Sequence, residues 1–73
     1  MAKHYARVQR RAYGDGGPAE VIVTVHEDAD DRVVESYIAH EGSDAPLRRL
    51  NRKPNGPLFP MAQRAFDKHN NKR

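Results

Sequence analysis

A chain of 73 residues, 37% hydrophobic with a net charge of +3, makes a single small domain over 1–73 and leaves no room for two independent cores. Leu, Ile, Val and Phe together number only 13, close to the level at which disorder competes with folding, so a thin core and gains in stability on binding a partner are expected. The absence of cysteine excludes disulfides and zinc ribbons, and no apolar run is long enough for a membrane span or a signal peptide, so a soluble chain is expected.

The first element is a weak edge strand over His4 to Ala12, where Tyr5, Arg7, Gln9 and Arg11 alternate with Ala6, Val8 and Arg10. Gly14-Asp15-Gly16-Gly17-Pro18 then forms a loop, because its glycines admit positive φ and its proline stops ladder pairing. It is glycine-rich but no phosphate loop, since no G-K-[ST] follows and a strand comes next. Ala19 to Glu27 carries the strongest strand signal, with Val21, Val23 and Val25 on one face and Ile22, Thr24 and His26 on the other. An acidic turn, Glu27-Asp28-Ala29-Asp30-Asp31, leads into a strand over Arg32 to His40, giving a hairpin with a loop of about four residues.

Beyond it, Ser43 or Asp44 can cap a short helix over about 45–51, with Pro46 in its first turn and Leu47 and Leu50 on one stripe. A breaker-rich linker, Asn51 to Pro57, separates this from a helix over about 60–69, marked by Met61, Ala62, Ala65, Phe66 and a C-terminal Lys68. Asn70 to Arg73 are expected to fray, leaving about 4–69 ordered between flexible termini. The fold expected is α+β: a three-stranded antiparallel sheet with one or two C-terminal helices. Its core would hold Val21, Val23, Val25, Val34, Ile38, Leu50, Phe59 and Phe66.

Charge is zoned along the chain. Lys3, Arg7, Arg10 and Arg11 make a basic opening, eight acids against Arg32 make an acidic middle over 14–43, and Arg48, Arg49, Arg52 and Lys53 begin a basic stretch. Such zoning suits charged macromolecules better than a neutral small-molecule ligand, although salt bridges within the chain would use the same residues. Catalysis and metals find little support. His4, His26, His40 and His69 lack ligand spacing, the serines lack an adjacent base, and the aspartates of the turn lack the glycine and glutamate of a calcium loop. His26 and His40 could meet across the hairpin, but two polar positions on a half-exposed sheet face is the simpler reading. No enzyme, no cofactor and no metal is expected.

The basic residues are the candidates for binding. Tyr5 and Tyr13 beside Arg7, Arg10 and Arg11 form one arginine and aromatic face, and Arg48, Arg49, Arg52 and Lys53 form a second patch at the end of the short helix. Nucleic acid would suit these groups, but the acidic middle opposes it and no RNP, KH or helix-turn-helix signature is present. A protein partner fits better, with arginines and tyrosines anchoring an interface.

The opening Met1-Ala2-Lys3-His4-Tyr5-Ala6-Arg7, the Val21-Ile22-Val23-Thr24-Val25 hairpin and the basic C-terminal stretch together resemble the RNA-polymerase-binding transcription inhibitors and antiterminators of lytic Xanthomonas phages. Length, lack of cysteine and nine arginines against four lysines agree with that resemblance. It implies a host-takeover protein acting in the host bacterial cytoplasm; a monomer is expected, with a dimer left open by the exposed edge strand. Its partner would be the amino-terminal region of the polymerase β′ subunit near the RNA exit channel and β flap, with NusA assisting and nascent RNA within reach. Bound there, it would inhibit σ-dependent initiation and suppress termination. The resemblance supplies no contact residues; separately, the arginine and aromatic pattern of the edge strand and the basic patch makes Tyr5, Arg7, Arg10, Arg11, Arg48, Arg49 and Arg52 the residues expected to touch polymerase or RNA. The alternatives are a small basic RNA-binding protein and a phage inhibitor of another host complex.

Overall fold

A computed structural model describes residues 3–71. Three long strands, β1 (His4–Arg11), β2 (Glu20–Glu27) and β3 (Val33–His40), are followed by a two-residue strand, β4 (Arg48–Arg49), a 3₁₀ turn over Leu50–Arg52 and a helix, α1 (Phe59–Asn71). The strands pair antiparallel in the order β1-β2-β3-β4, and α1 covers one face, so the fold is a small α+β domain.

The β-branched run from Val21 to Val25 forms the central strand because it is paired on both sides and can bury one face completely. Val21, Val23 and Val25 have no exposed surface and meet Tyr37, Leu47, Ala62 and Phe66 beneath the helix. Phe59, Val34, Leu58, Met61 and Ala65 pack around this cluster.

Four expectations need correction. No α-helix forms over 45–51: Arg48 and Arg49 instead pair with Ile38 and Tyr37 as a fourth strand, and only the 3₁₀ turn begins at Leu50. Leu47 decides this. It is buried in the core, and its N–H donates to Gln63 Oε1 of α1 at 3.2 Å, which holds the segment extended across β3. Ser43 Oγ accepts from Ala45 N at 3.0 Å, a local turn rather than a helix cap.

The second correction concerns the core. Ile38 lies on the face opposite α1, and Leu50 sits half-buried at the start of the 3₁₀ turn, outside the core cluster. The positions assigned to them are filled by Tyr37 and Leu47. Glu35, Tyr37 and Ala39 face the helix because they pair with Val25, Val23 and Val21. A bulge between Val25 and His26 shifts the register, so His26 pairs with Val33, and Val34 still reaches the core edge.

Third, β3 starts at Val33, so the acidic loop is Asp28 to Arg32, closed by Asp31 N to Glu27 O and Glu27 N to Arg32 O, both 2.8 Å. Fourth, α1 is longer than 60–69 and continues through Asn71. Asn70 is held by its Oδ1, which accepts from Gly42 N at 3.0 Å. The expected fraying at Lys72 and Arg73, and the opening Met1-Ala2, lie outside the described residues.

Candidate interaction surface

The register fixes the face of the sheet that α1 leaves open. On β1 it carries Tyr5, Arg7, Gln9 and Arg11; on β2, Glu20, Ile22 and Thr24; on β3, Ser36, Ile38 and His40; on β4, Arg48. Its centre is neutral, with Glu20 lying at one end of β2. Ile22 pairs with Ile38 and Thr24 with Ser36, all half-buried. Exposed arginines stand on both edges, Arg7 and Arg11 on β1 and Arg48 on β4. Three inter-strand steps put those edges about 14 Å apart.

Tyr5 is built into one corner of this face. Its ring stacks on His26 with centroids 5.0 Å apart and planes within 10°, the Arg7 guanidinium lies 5.6 Å from its centroid, and its hydroxyl donates to Asp31 Oδ1. That hydrogen bond, before all else, raises the Tyr5 hydroxyl pKa above its ordinary value. His26 is itself buried and bonded at both ring nitrogens, Nε2 to Thr24 Oγ1 at 2.7 Å and Nδ1 to Asp31 O at 3.0 Å. It is a structural histidine. It pairs with Val33 while His40 pairs with Glu20, so the two histidines do not meet.

The expected arginine and aromatic face does not assemble as one unit. Arg10 points to the helix side, where Nε donates to Glu41 Oε2 at 2.8 Å; the same oxygen lies 2.8 Å from His69 Nε2 of α1. Tyr13 turns its hydroxyl to Glu20 Oε1. The alternation that carries Arg7 and Arg11 outward carries Arg10 to the other side.

Arg49 is likewise spent internally, donating to Pro54 O at 3.1 Å and Val34 O at 3.5 Å. Arg48, Arg52 and Lys53 remain together at a groove of about 610 Å³ floored by Ile38, Leu47 and Leu50. Asn51 and Arg52, with φ of 65° and 57°, turn the chain there.

A buried polar network lies under α1 and has no local signal in the sequence. Tyr37 Oη donates to Glu35 Oε1 at 2.6 Å and accepts from Gly56 N at 2.9 Å, while Leu58 N donates to Glu35 Oε2 at 3.2 Å. Burial, then the bond to Glu35, raises the Tyr37 hydroxyl pKa. Only the pairing of Glu35 with Val25 reveals this, because in sequence Glu35 reads as a solvent-facing strand residue. Among the described residues no His, Asp and Glu cluster suits a metal ion.

No family model, curated protein or solved structure matches this chain.

Proposed function

We infer that this chain is a non-catalytic protein-binding module that docks through the open face of its sheet. The observation that carries this reading is the layout of that face: half-buried Ile22 and Ile38 in the centre, with exposed Arg7, Arg11 and Arg48 on the edges. Protein interfaces have this anatomy, an apolar centre inside a polar rim with arginine among the anchors. A single-stranded nucleic-acid platform has aromatic rings at its centre, and here the centre is Ile, Thr and Ser.

The finer reading rests on the sequence resemblance. In it the partner is bacterial RNA polymerase, bound at the β′ amino-terminal region beside the RNA exit channel, and the outcome is inhibited initiation and suppressed termination. A regulator of this kind needs no pocket, only different affinities for two states of the enzyme. The second reading, a small RNA-binding protein, is favoured by the Arg48, Arg52 and Lys53 cluster at the β4 groove.

Purified tagged protein is mixed with RNA polymerase core, and in parallel with short RNA. Retention of polymerase, lost in Arg7→Glu/Arg48→Glu with an unchanged thermal melt, is the expected result. Binding of RNA alone would retire the polymerase reading and install the second one.

A further inference from the structure

The outer edge of β1 is an eight-residue strand with no bulge, and among the described residues no strand lies on its far side. Its unpaired backbone groups can be assigned. Asp28 N donates to Lys3 O at 2.9 Å, and these two residues continue the β1–β2 register, so they form a hydrogen-bonded pair. Antiparallel ladders alternate bonded and non-bonded pairs. Tyr5, Arg7, Gln9 and Arg11 therefore bond to β2, while the N–H and C=O groups of His4, Ala6, Val8 and Arg10 point away from the sheet.

Beside this edge runs a groove of about 280 Å³ between β1 and the last turns of α1, lined by Ala6, Val8, Ala65, Lys68 and His69. Val8 is 36% exposed there. An open strand edge next to a helix, with a small apolar slot between, is the arrangement that receives an extended peptide as an added strand.

We propose that the β1–α1 groove binds an extended acidic segment of the partner protein as a fifth strand. Side chains of an added strand alternate between faces. Those beside Ala6 and Val8 enter the slot against Ala65 and must be small and aliphatic. Those beside Arg7 and Arg11 lie on the open face, and Glu or Asp there meets a guanidinium. The recognised pattern is thus aliphatic residues alternating with acids, and Lys68 at the rim of the slot adds to the preference for negative charge. A second copy of the chain is the wrong occupant, because pairing β1 with β1 sets the arginines of both strands near one another. The inference rests on the reading of this chain as a protein-binding module and names the chemistry of its partner.

The test uses isotope-labelled full-length protein and two capped peptides, one alternating valine and glutamate, the other valine and lysine. The glutamate peptide should slow amide exchange at Ala6, Val8 and Arg10, the outward-facing donors, with little change at Arg7 and Gln9. Val8→Pro removes one outward donor without touching a β1–β2 bond and should weaken binding about tenfold. Arg7→Glu/Arg11→Glu should reverse the preference toward the lysine peptide, which keeps the test open if the proline variant does not fold. No slowing at those three amides at the highest soluble peptide concentration overturns the proposal. So does their protection in the protein alone at dimer mass, which would give the edge to a second copy. Polymerase is absent from this experiment, so the groove and the polymerase reading fail separately.

Discussion

Tyr37 and Glu35 show how much one pair of side chains can organise in so small a core. A carboxylate under a helix costs stability unless its oxygens are used, and here both are: one by the Tyr37 hydroxyl, the other by the Leu58 amide at the start of α1. That amide end of the helix carries partial positive charge, which favours the carboxylate further. Gly56 completes the arrangement, since a Cβ there would collide with the Glu35 carboxylate. Tyr37→Phe strips a partner from both Glu35 and the Gly56 N–H and should cost about 1–3 kcal/mol in urea denaturation. The raised Tyr37 pKa adds a pH dependence of definite sign. Below pH 10.0, the ordinary tyrosine value, both states keep the proton and stability is full; above it the unfolded chain ionises first, so stability falls as pH rises toward the folded-state value. Tyr37→Phe should flatten this alkaline decline, leaving the part due to Tyr5, whose pKa is raised in the same direction. Parallel unfolding curves at neutral and alkaline pH, with tyrosinate absorbance as the titration record, check both statements.

Among the elements, β4 is the one that local sequence signals misassign. Ser43, Pro46 and the Leu47/Leu50 spacing satisfy the rules for a short helix, yet such a helix is a weak structure on its own. Extending the segment across β3 gives two ladder pairs and buries Leu47 to 2% exposure. Burial of that one side chain outweighs the helical preference of its neighbours. Leu47→Ala should therefore destabilise the domain by about 2–5 kcal/mol and release β4 before the rest. Amide exchange at Arg48 and Arg49 rising ahead of exchange in β2 is the expected signature. By contrast β2 and β3 are legible in sequence because strict alternation and β-branching agree with their final environment. Helix α1 is legible for the same reason, its apolar stripe matching the face that packs on the sheet.

Across the whole molecule, the zoned charge becomes a spatial asymmetry. The acidic loop Asp28 to Arg32 closes one end of the β2–β3 hairpin, where Arg32 offsets Glu27 through a 2.9 Å contact. Arg7, Arg11 and Arg48 occupy the opposite margins of the open face, and Arg52 and Lys53 extend the β4 side. A partner of negative potential is steered onto this face and repelled by the acidic end, which orients the encounter. Association should slow as salt is raised, with dissociation changing less, because the apolar Ile22 and Ile38 centre is not screened. Stopped-flow or surface-binding kinetics over a salt series separates the two rates. Of the candidate residues, Arg7, Arg11 and Arg48 reach this face, with Tyr5 fixed at its corner and Arg52 exposed at the adjoining groove. Arg10 and Arg49 are bound internally instead, because strand parity and the Pro54 carbonyl claim them.

What the sequence determined by itself were the features that depend on neighbours a few residues apart: three alternating strands, the turns between them, the terminal helix and the zoning of charge. The α+β class follows from those alone. Tertiary structure decided which strand face the helix covers, and with it the fate of Ile38, Tyr37 and Glu35. It also set the extended path of Arg48–Arg49, the internal ion pair of Arg10 and the open edge of β1 beside its groove. Each of these turns on register or on contacts between residues distant in the chain. A one-residue shift of register exchanges the two faces of a strand, and no local pattern records which of two half-apolar faces meets the core.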